Sequence, residues 1–267
     1  MYLTAIMSKL KFISKRVNQL MSKPRVSIFG CGWLGSSLGE RLVSEFIVKG
    51  STSEQRRSEL KTYGIDNCVL TLESYMDNRD FFKCDILIIS LPSSVYKGDD
   101  SLELFRDLIF RLYPHTKIIF LSSTSLYSGS GKIDEDSAVD ADSHLRSAER
   151  IVTDSKQKSY VVRLAGLMGY SRYLAKYYAD KTEVKNCPVN HIHRNDAVEM
   201  LYQLITRPIP EGTYNMCAPL HPTKEAILKT AKLKLKYLPC TKKRVISGER
   251  LSKALHYNFK HPDPKRF

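Results

Sequence analysis

Six consecutive residues, Gly30-Cys31-Gly32-Trp33-Leu34-Gly35, carry the strongest chemical signal in the chain. Glycine at the first position permits a tight turn, and glycine at the second lets backbone approach a pyrophosphate. Glycine at the third lets a helix lie close against the preceding strand. RVSIF before the turn is a run of strand formers, and the stretch after it is amphipathic, so a strand–turn–helix unit is predicted. The start of that helix presents unpaired N–H groups and about half a positive elementary charge to phosphate oxygens. Cys31, inside the turn, reads as a small filler.

About 20 residues further on, a carboxylate at the end of the second strand would accept from the ribose 2′-hydroxyl of NAD. This chain has Ser51, Thr52 and Ser53 there, no acid until Glu54, and then Arg56 and Arg57. An uncharged strand end beside guanidinium groups suits a 2′-phosphate, which arginine binds through two parallel hydrogen bonds. The expected cofactor is therefore NADP, with NAD as the other option. Ser51, Thr52 and Arg56 join the glycine turn as candidate cofactor contacts.

These residues need a scaffold that brings strand ends together. Short apolar runs at Arg25–Gly30, Phe46–Ser51, 66–71, Cys84–Leu91, Lys117–Ser122 and Tyr160–Leu164 alternate with amphipathic stretches, among them Ser101–Leu112 and 143–156. Such runs, separated by helices, predict a parallel sheet covered on both faces. With a glycine-rich first turn, the expected fold class is α/β: a doubly wound parallel sheet (Rossmann) with a small C-terminal substrate-binding segment. The predicted organisation is a basic extension over 1–24, an NAD(P)-binding domain over 25–165 whose sheet later strands complete, and the smaller segment over 166–267. In that segment a helix at 195–206, a short strand at Gly212–Met216 and a helix at 223–232 are expected.

KIIFLSSTSLY at Lys117–Tyr127 makes the pattern more specific. With the glycine turn it resembles the extended short-chain dehydrogenase/reductases, the NAD-dependent epimerase/dehydratase family. VRLAGLMG (162–169), VNHIHRND (189–196), GTYN (212–215) and the tail from RVIS (244–247) through HYNF (256–259) match in the family's order, so the resemblance spans about 25–262. It implies a nicotinamide cofactor, with Leu91, Pro92 and Ser122 at strand ends beside Trp33 and Leu34 of the turn. It also implies chemistry by a Ser/Thr with a Tyr-x-x-x-Lys pair. Ser123 fits the serine position, but the slots of the pair hold Ala141 and Leu145, so the chain is similar to atypical, epimerase-like members. A positioned general acid or base contributes about 10²- to 10⁴-fold in rate. Tyr127 beside Ser123 is the expected substitute donor, and His144 is a weaker candidate. Arg172, Asn190, His193 and Arg194 are the expected substrate contacts, with Asp196 in a structural role at the helix start.

Composition narrows the partners. The chain has 267 residues and a formal charge of +14, of which +5 falls in 1–24 and +6 in 241–267, leaving +3 for 25–240. A nearly balanced body with no nucleic-acid motif disfavours a polyanion partner. No run approaches the roughly 18 apolar residues of a membrane span, and the start lacks a secretory apolar core. The extension reads as dispensable, with Met7 and Met21 as alternative starts. Six scattered cysteines without C-x-x-C or metal spacing predict reduced thiols, no metal site and a cytoplasmic protein. The expected function is an NAD(P)-binding oxidoreductase or epimerase acting on a hydroxyl or carbonyl of a small molecule, such as a sugar or sugar nucleotide. The alternative is a non-catalytic NADP(H)-binding redox sensor or regulator. The oligomeric state is left open.

Overall fold

The apolar runs become the strands of one seven-stranded parallel sheet. The computed structural model describes residues 23–53, 57–231 and 233–267, so the expectations for the N-terminal extension and for Arg56 lie outside the described residues. β1 (Arg25–Phe29) leads through the glycine turn to α1 (Trp33–Leu42), β2 (Ile47–Thr52), α2 (Arg57–Thr62) and β3 (Asp66–Val69). Then follow β4 (Ile86–Ile89), α3 (Asp99–Phe110), β5 (Lys117–Ser123), β6 (Gly131–Ile133), α4 (His144–Thr153) and β7 (Ser159–Leu164). The later segment holds β8 (Gly166–Met168), β9 (Glu183–Lys185), β10 (His191–His193), α5 (Arg194–Thr206) and β11 (Gly212–Met216). It ends with α6 (Lys224–Leu228), β12 (Lys236–Leu238), β13 (Arg244–Ile246) and α7 (Glu249–Leu255).

The strand order is β3-β2-β1-β4-β5-β7-β11. Chain progression reverses between β1 and β4, and in a doubly wound sheet that reversal opens a crevice at the carboxyl ends of the strands. Successive strand residues face opposite ways. Val26, Ile28 and Ile88 pack with Leu38, Met200 and Leu251 of α1, α5 and α7, while Phe29, Leu87 and Ile89 pack with Phe105 and Val152 of α3 and α4. The short strand at Gly212–Met216 is the edge of this sheet, with Tyr214 opposite Val162. Among the described residues no helix is long and apolar enough to cross a membrane.

Beside the sheet, β9 pairs with β12 over a satellite core of Leu174, Val184, Val189 and Leu228. This pairing brings Cys187 to Cys240 in a disulfide, with Cα atoms 5.0 Å apart. The expectation of reduced cysteines throughout is corrected at these two positions. The partners are 53 residues apart, and no local motif announces a bond made by strand pairing. Cys31, Cys84 and Cys217 carry free thiols.

One polar row crosses the apolar sheet. In register, Ser122 of β5 stands beside Arg163 of β7, and Arg163 beside Asn215 of β11. Glu149 of α4, fully buried, closes over the row. Its carboxylate accepts from Arg163 Nε and Nη2 at 2.9 and 2.8 Å, from Ser122 Oγ at 2.6 Å and from Arg146 Nη1 at 2.9 Å. Arg163 Nη1 donates to the Tyr127 hydroxyl at 3.0 Å, and that hydroxyl donates to Asn215 Oδ1 at 2.7 Å. Burial alone would raise the Glu149 pKa, but the hydrogen bonds and charge of Arg163, then Ser122 and Arg146, hold it below the ordinary carboxylate value.

A carboxyl whose folded pKa is depressed adds stability that is complete above its unfolded value. That stability is lost as pH falls through the folded one. The urea midpoint of the wild-type protein should therefore drop as pH is lowered below about 4.5, and Glu149→Gln should lack that part of the slope. Equal slopes would remove Glu149 from this role. At neutral pH, Arg163→Met should cost about 3–5 kcal/mol, because it leaves a buried carboxylate without its partner.

Candidate cofactor cleft and its cationic rim

The glycine turn lies at the carboxyl end of β1, at the switch point. Gly30 has φ +92°, and a Cβ there would come within 2.7 Å of the Ser90 carbonyl oxygen, so only glycine fits. Ser51 at the end of β2 fixes the turn from the other side. Its Oγ accepts from Gly30 N at 3.1 Å and its carbonyl from Cys31 N at 2.6 Å. Gly32 begins α1 without any side-chain cap, which leaves the first-turn N–H groups facing outward. A Cβ added at Gly32 meets nothing within 4 Å. The turn is therefore closed against the protein at Gly30 and open to a ligand at Gly32.

A cleft of about 630 Å³ opens from this turn, lined by Gly30, Gly32, Ser51, Thr52, Leu91 and Pro92 of the predicted set. Thr52 Oγ1 is buried on its wall with no partner, a hydroxyl available to a ribose or phosphate. The cleft also takes Leu70, Thr71, Leu72 and Glu73 beyond β3, and Ser90 and Val95 beyond β4, none of which sequence reading singled out. Their signal is positional: they follow the carboxyl ends of sheet strands, where doubly wound folds place their ligands. A groove of about 660 Å³ between α3 and α4, beside the exposed Phe110, has no glycine turn and no orphaned buried hydroxyl.

Several predicted contacts have other duties. The Leu34 side chain is in the core, so only its backbone faces the ligand end of α1. Gly35 packs α1 onto β1, where a Cβ would lie 3.1 Å from Ile28. Ser122 is buried and committed to Glu149. Tyr127, expected as a proton donor at the strand end, is only 2% exposed and its hydroxyl is held between Arg163 and Asn215. Burial raises its pKa, partly opposed by Arg163 and Asn215. This correction is steric as well as electrostatic, since a substrate has no route to a phenol inside the polar row. Ser123 is half-buried at the end of β5 and accepts from Ser125 N at 3.1 Å, leaving its own O–H to donate. Leu145, in the lysine slot, is buried core.

The predicted substrate contacts divide in the same way. Asn190 is a backbone clamp: its amide donates to Arg244 O at 3.0 Å and accepts from Ile246 N at 2.8 Å, pinning β13. His193 is buried and caps α5, its Nδ1 accepting from Asn195 N at 3.2 Å, and its ring stacks on His261 at 3.7 Å. Burial lowers the His193 pKa, with the neighbouring His261 acting in the same direction. Asp196, also buried, latches the tail to α5 by accepting from Tyr257 OH, Lys260 N and His261 N at 2.7–2.9 Å. Asn190 and His193 are thus structural, and only the two arginines of the set remain uncommitted. Arg172 and Arg194 stand 4.3 and 4.6 Å from the centre of the Trp33 indole, and Arg194 also lies 4.2 Å from that of Tyr170. These cation–π contacts place two guanidinium groups beside the glycine turn.

No family model matches the chain. The chain is 29% identical to Protein YeeZ of Escherichia coli K12, covering 90% of this chain and 97% of that protein. Its fold is similar to a protein assigned as an NAD-dependent epimerase/dehydratase in Methylobacillus flagellatus, with a TM-score of 0.72 and 19% identity over 91% of this chain and 95% of that one. It is also similar to UDP-glucuronic acid 4-epimerase from Bacillus cereus, solved in complex with NAD. There the TM-score is 0.71 and identity 13%, over 90% of this chain and 95% of that one. At such identities the likeness shows the fold: the chain is a Rossmann-like doubly wound α/β protein.

The two glycines separate folding from binding. Gly32→Ala should leave the melting temperature within about 2 °C, because its methyl meets open space. It should weaken any dinucleotide by about tenfold or more, because in doubly wound folds the backbone at this glycine is where a pyrophosphate approaches. Gly30→Ala should instead lower the melting temperature by several degrees, since it combines a positive φ with a backbone clash. Calorimetric titration beside thermal unfolding distinguishes them, and a Gly32→Ala protein that binds like wild type would place the ligand elsewhere.

Proposed function

We propose that the chain binds a nicotinamide dinucleotide across the β1–β4 switch point and acts on a hydroxyl or carbonyl of a small molecule, such as a sugar or sugar nucleotide. The observation that carries this reading is the turn itself, closed at Gly30 and open at Gly32, at the head of a cleft with an orphaned Thr52 hydroxyl. Gly30, Gly32 and the first N–H groups of α1 would hold the pyrophosphate, with Thr52 near the adenosine ribose and Leu91 and Pro92 forming the wall. When bound, the nicotinamide would supply hydride transfer. The solved neighbours crystallised with NAD support the cofactor class. NADP is favoured over NAD here because β2 ends in Ser51 and Thr52, followed by Ser53, with no acid.

On this reading Ser123 is the polar group left at the β5 end for a substrate oxygen, since Tyr127 is enclosed. That enclosure, with Leu145 in the lysine slot, also supports a second reading: an NADP(H)-binding sensor or regulator that performs no chemistry. The proposed organisation keeps 25–165 as the cofactor domain, completed by β11, and 166–267 as the substrate-facing segment.

Calorimetric titration should show saturable NADPH binding tighter than NADH. Arg56→Ala with Arg57→Ala should weaken NADPH by about tenfold and leave NADH within about threefold. No saturation by either would sink both readings, and equal effects would sink the NADP preference. In a turnover screen with carbonyl and sugar-nucleotide substrates, Tyr127→Phe should keep its rate within about threefold of wild type. It should lose about 1–3 kcal/mol of stability, because the Asn215 and Arg163 groups lose their partner. A rate loss of about a hundredfold at unchanged stability would return Tyr127 to the chemistry.

A further inference from the structure

The near balance of charge over 25–240 averages two unlike parts. Residues 170–189 and 220–244, which build the satellite lobe and its link to β13, hold twelve basic and three acidic side chains, a net +9. The sheet and its helices, 25–169 and 190–219, net −3. Such a division within one chain points to an anionic partner for the lobe. Its lysines are ordered by strand alternation. Leu233, Leu235 and Tyr237 pack on the satellite core, and Lys234 and Lys236 between them are exposed. In β9, Val184 is buried while Glu183 and Lys185 are exposed. Parallel register sets Lys236 beside Glu183 and Leu238 beside Lys185, so Lys185 and Lys236 are diagonal neighbours on the outer face. Alternate residues of a strand stand about 6.6 Å apart, so Lys234 and Lys236 form successive steps of a charged ladder.

The face is held in place before any partner arrives. β9 and β12 are tied by their ladder, by Asn186 N donating to Leu238 O at 2.8 Å and by the Cys187–Cys240 disulfide. Among the described residues, Lys181, Lys185, Lys234, Lys236, Lys242 and Lys243 form no ion pair; the lobe's own pair joins Lys229 to Glu225. A lysine or two would keep the edges of a small sheet from pairing, and this lobe carries far more. Lysine is a compact point charge that meets a phosphate from any direction and reads no nucleobase. In the run that leads into β9, Tyr173 and Tyr177 are half exposed with the exposed Lys176 between them, rings on which an unpaired nucleobase can stack. β9 and β12 expose no large apolar side chain that could enter a lipid layer. We infer that the satellite lobe binds single-stranded nucleic acid without reading sequence, its phosphates running along the lysines of the β9–β12 face. This surface shares no residue with the lining of the β1–β4 cleft and requires nothing of the nicotinamide reading.

The test is fluorescence anisotropy of a labelled uridine homopolymer of about 16 nucleotides, titrated with the full chain at several salt concentrations. Neutralising about four phosphates gives a slope of log affinity on log salt near −3, so binding should weaken about fiftyfold between about 50 and 200 mM salt. Lys234→Gln with Lys236→Gln should weaken binding by about tenfold or more at low salt and make the slope shallower by about 1.4. Lys156→Gln with Lys158→Gln removes the same charge just before β7, outside the lobe, and should stay within about twofold of wild type. Tyr177→Ala should weaken the single strand by about fivefold or more, and an RNA duplex of the same length should bind less tightly than the single strand. Thermal unfolding confirms that the variants are folded. An equal loss from the Lys156 and Lys158 pair would reduce the effect to net charge and overturn the site. A slope near zero, or Lys234 and Lys236 variants that bind like wild type, would overturn it too. Tighter binding to the duplex, or to phosphatidylcholine vesicles containing about one-third phosphatidylserine, would replace the single strand with another partner.

Discussion

The buried Glu149–Arg163 pair is the constraint around which the rest of this structure is arranged. A carboxylate and a guanidinium withdrawn from water carry a desolvation penalty of several kcal/mol each, recovered only when nearly every donor and acceptor is matched. Here the matching is extensive: Ser122, Arg146, Tyr127 and Asn215 complete a row that joins β5, α4, β7 and β11. Such a row specifies register more sharply than apolar packing does. Sliding β11 by one residue would exchange Asn215 for Tyr214 or Met216, and the row would lose the amide that accepts from Tyr127.

That arrangement has a consequence for chemistry. The polar side chains near the carboxyl ends of β5 and β7 are the ones a reaction beside a nicotinamide would draw upon. In this chain most of them are spent on one another. What stays available is divided between two places: backbone N–H groups and small hydroxyls on the β1–β2 side, and the Trp33 arginines contributed by the later segment. The molecule is therefore better furnished to hold anions than to move protons.

Legibility in the sequence followed the range of the interactions. The strand–turn–helix around Gly30 was readable because its glycines answer to local backbone needs, and the sheet was readable because buried parallel strands are continuously apolar. Pairwise commitments were not readable. Tyr127 looks like a donor at a strand end until Asn215, 88 residues later, is seen to hold it. Asn190 looks like a substrate contact until β13 arrives to use both ends of its amide. Cys187 and Cys240 meet through a strand pair that spacing could not disclose. Arg172 and Arg194 were legible as cations, but not as neighbours on a single ring.

The Asp196 latch sets an order of events. Its partners, Tyr257, Lys260 and His261, lie more than sixty residues downstream, near the end of the chain. A ribosome delivers β1, the glycine turn and β4 well before these partners. Until they emerge, a carboxylate that is buried in the finished protein has water as its only companion, and the start of α5, with Arg194 on it, lacks its anchor. The β1–β4 side of the sheet can thus take shape before the start of α5 is anchored.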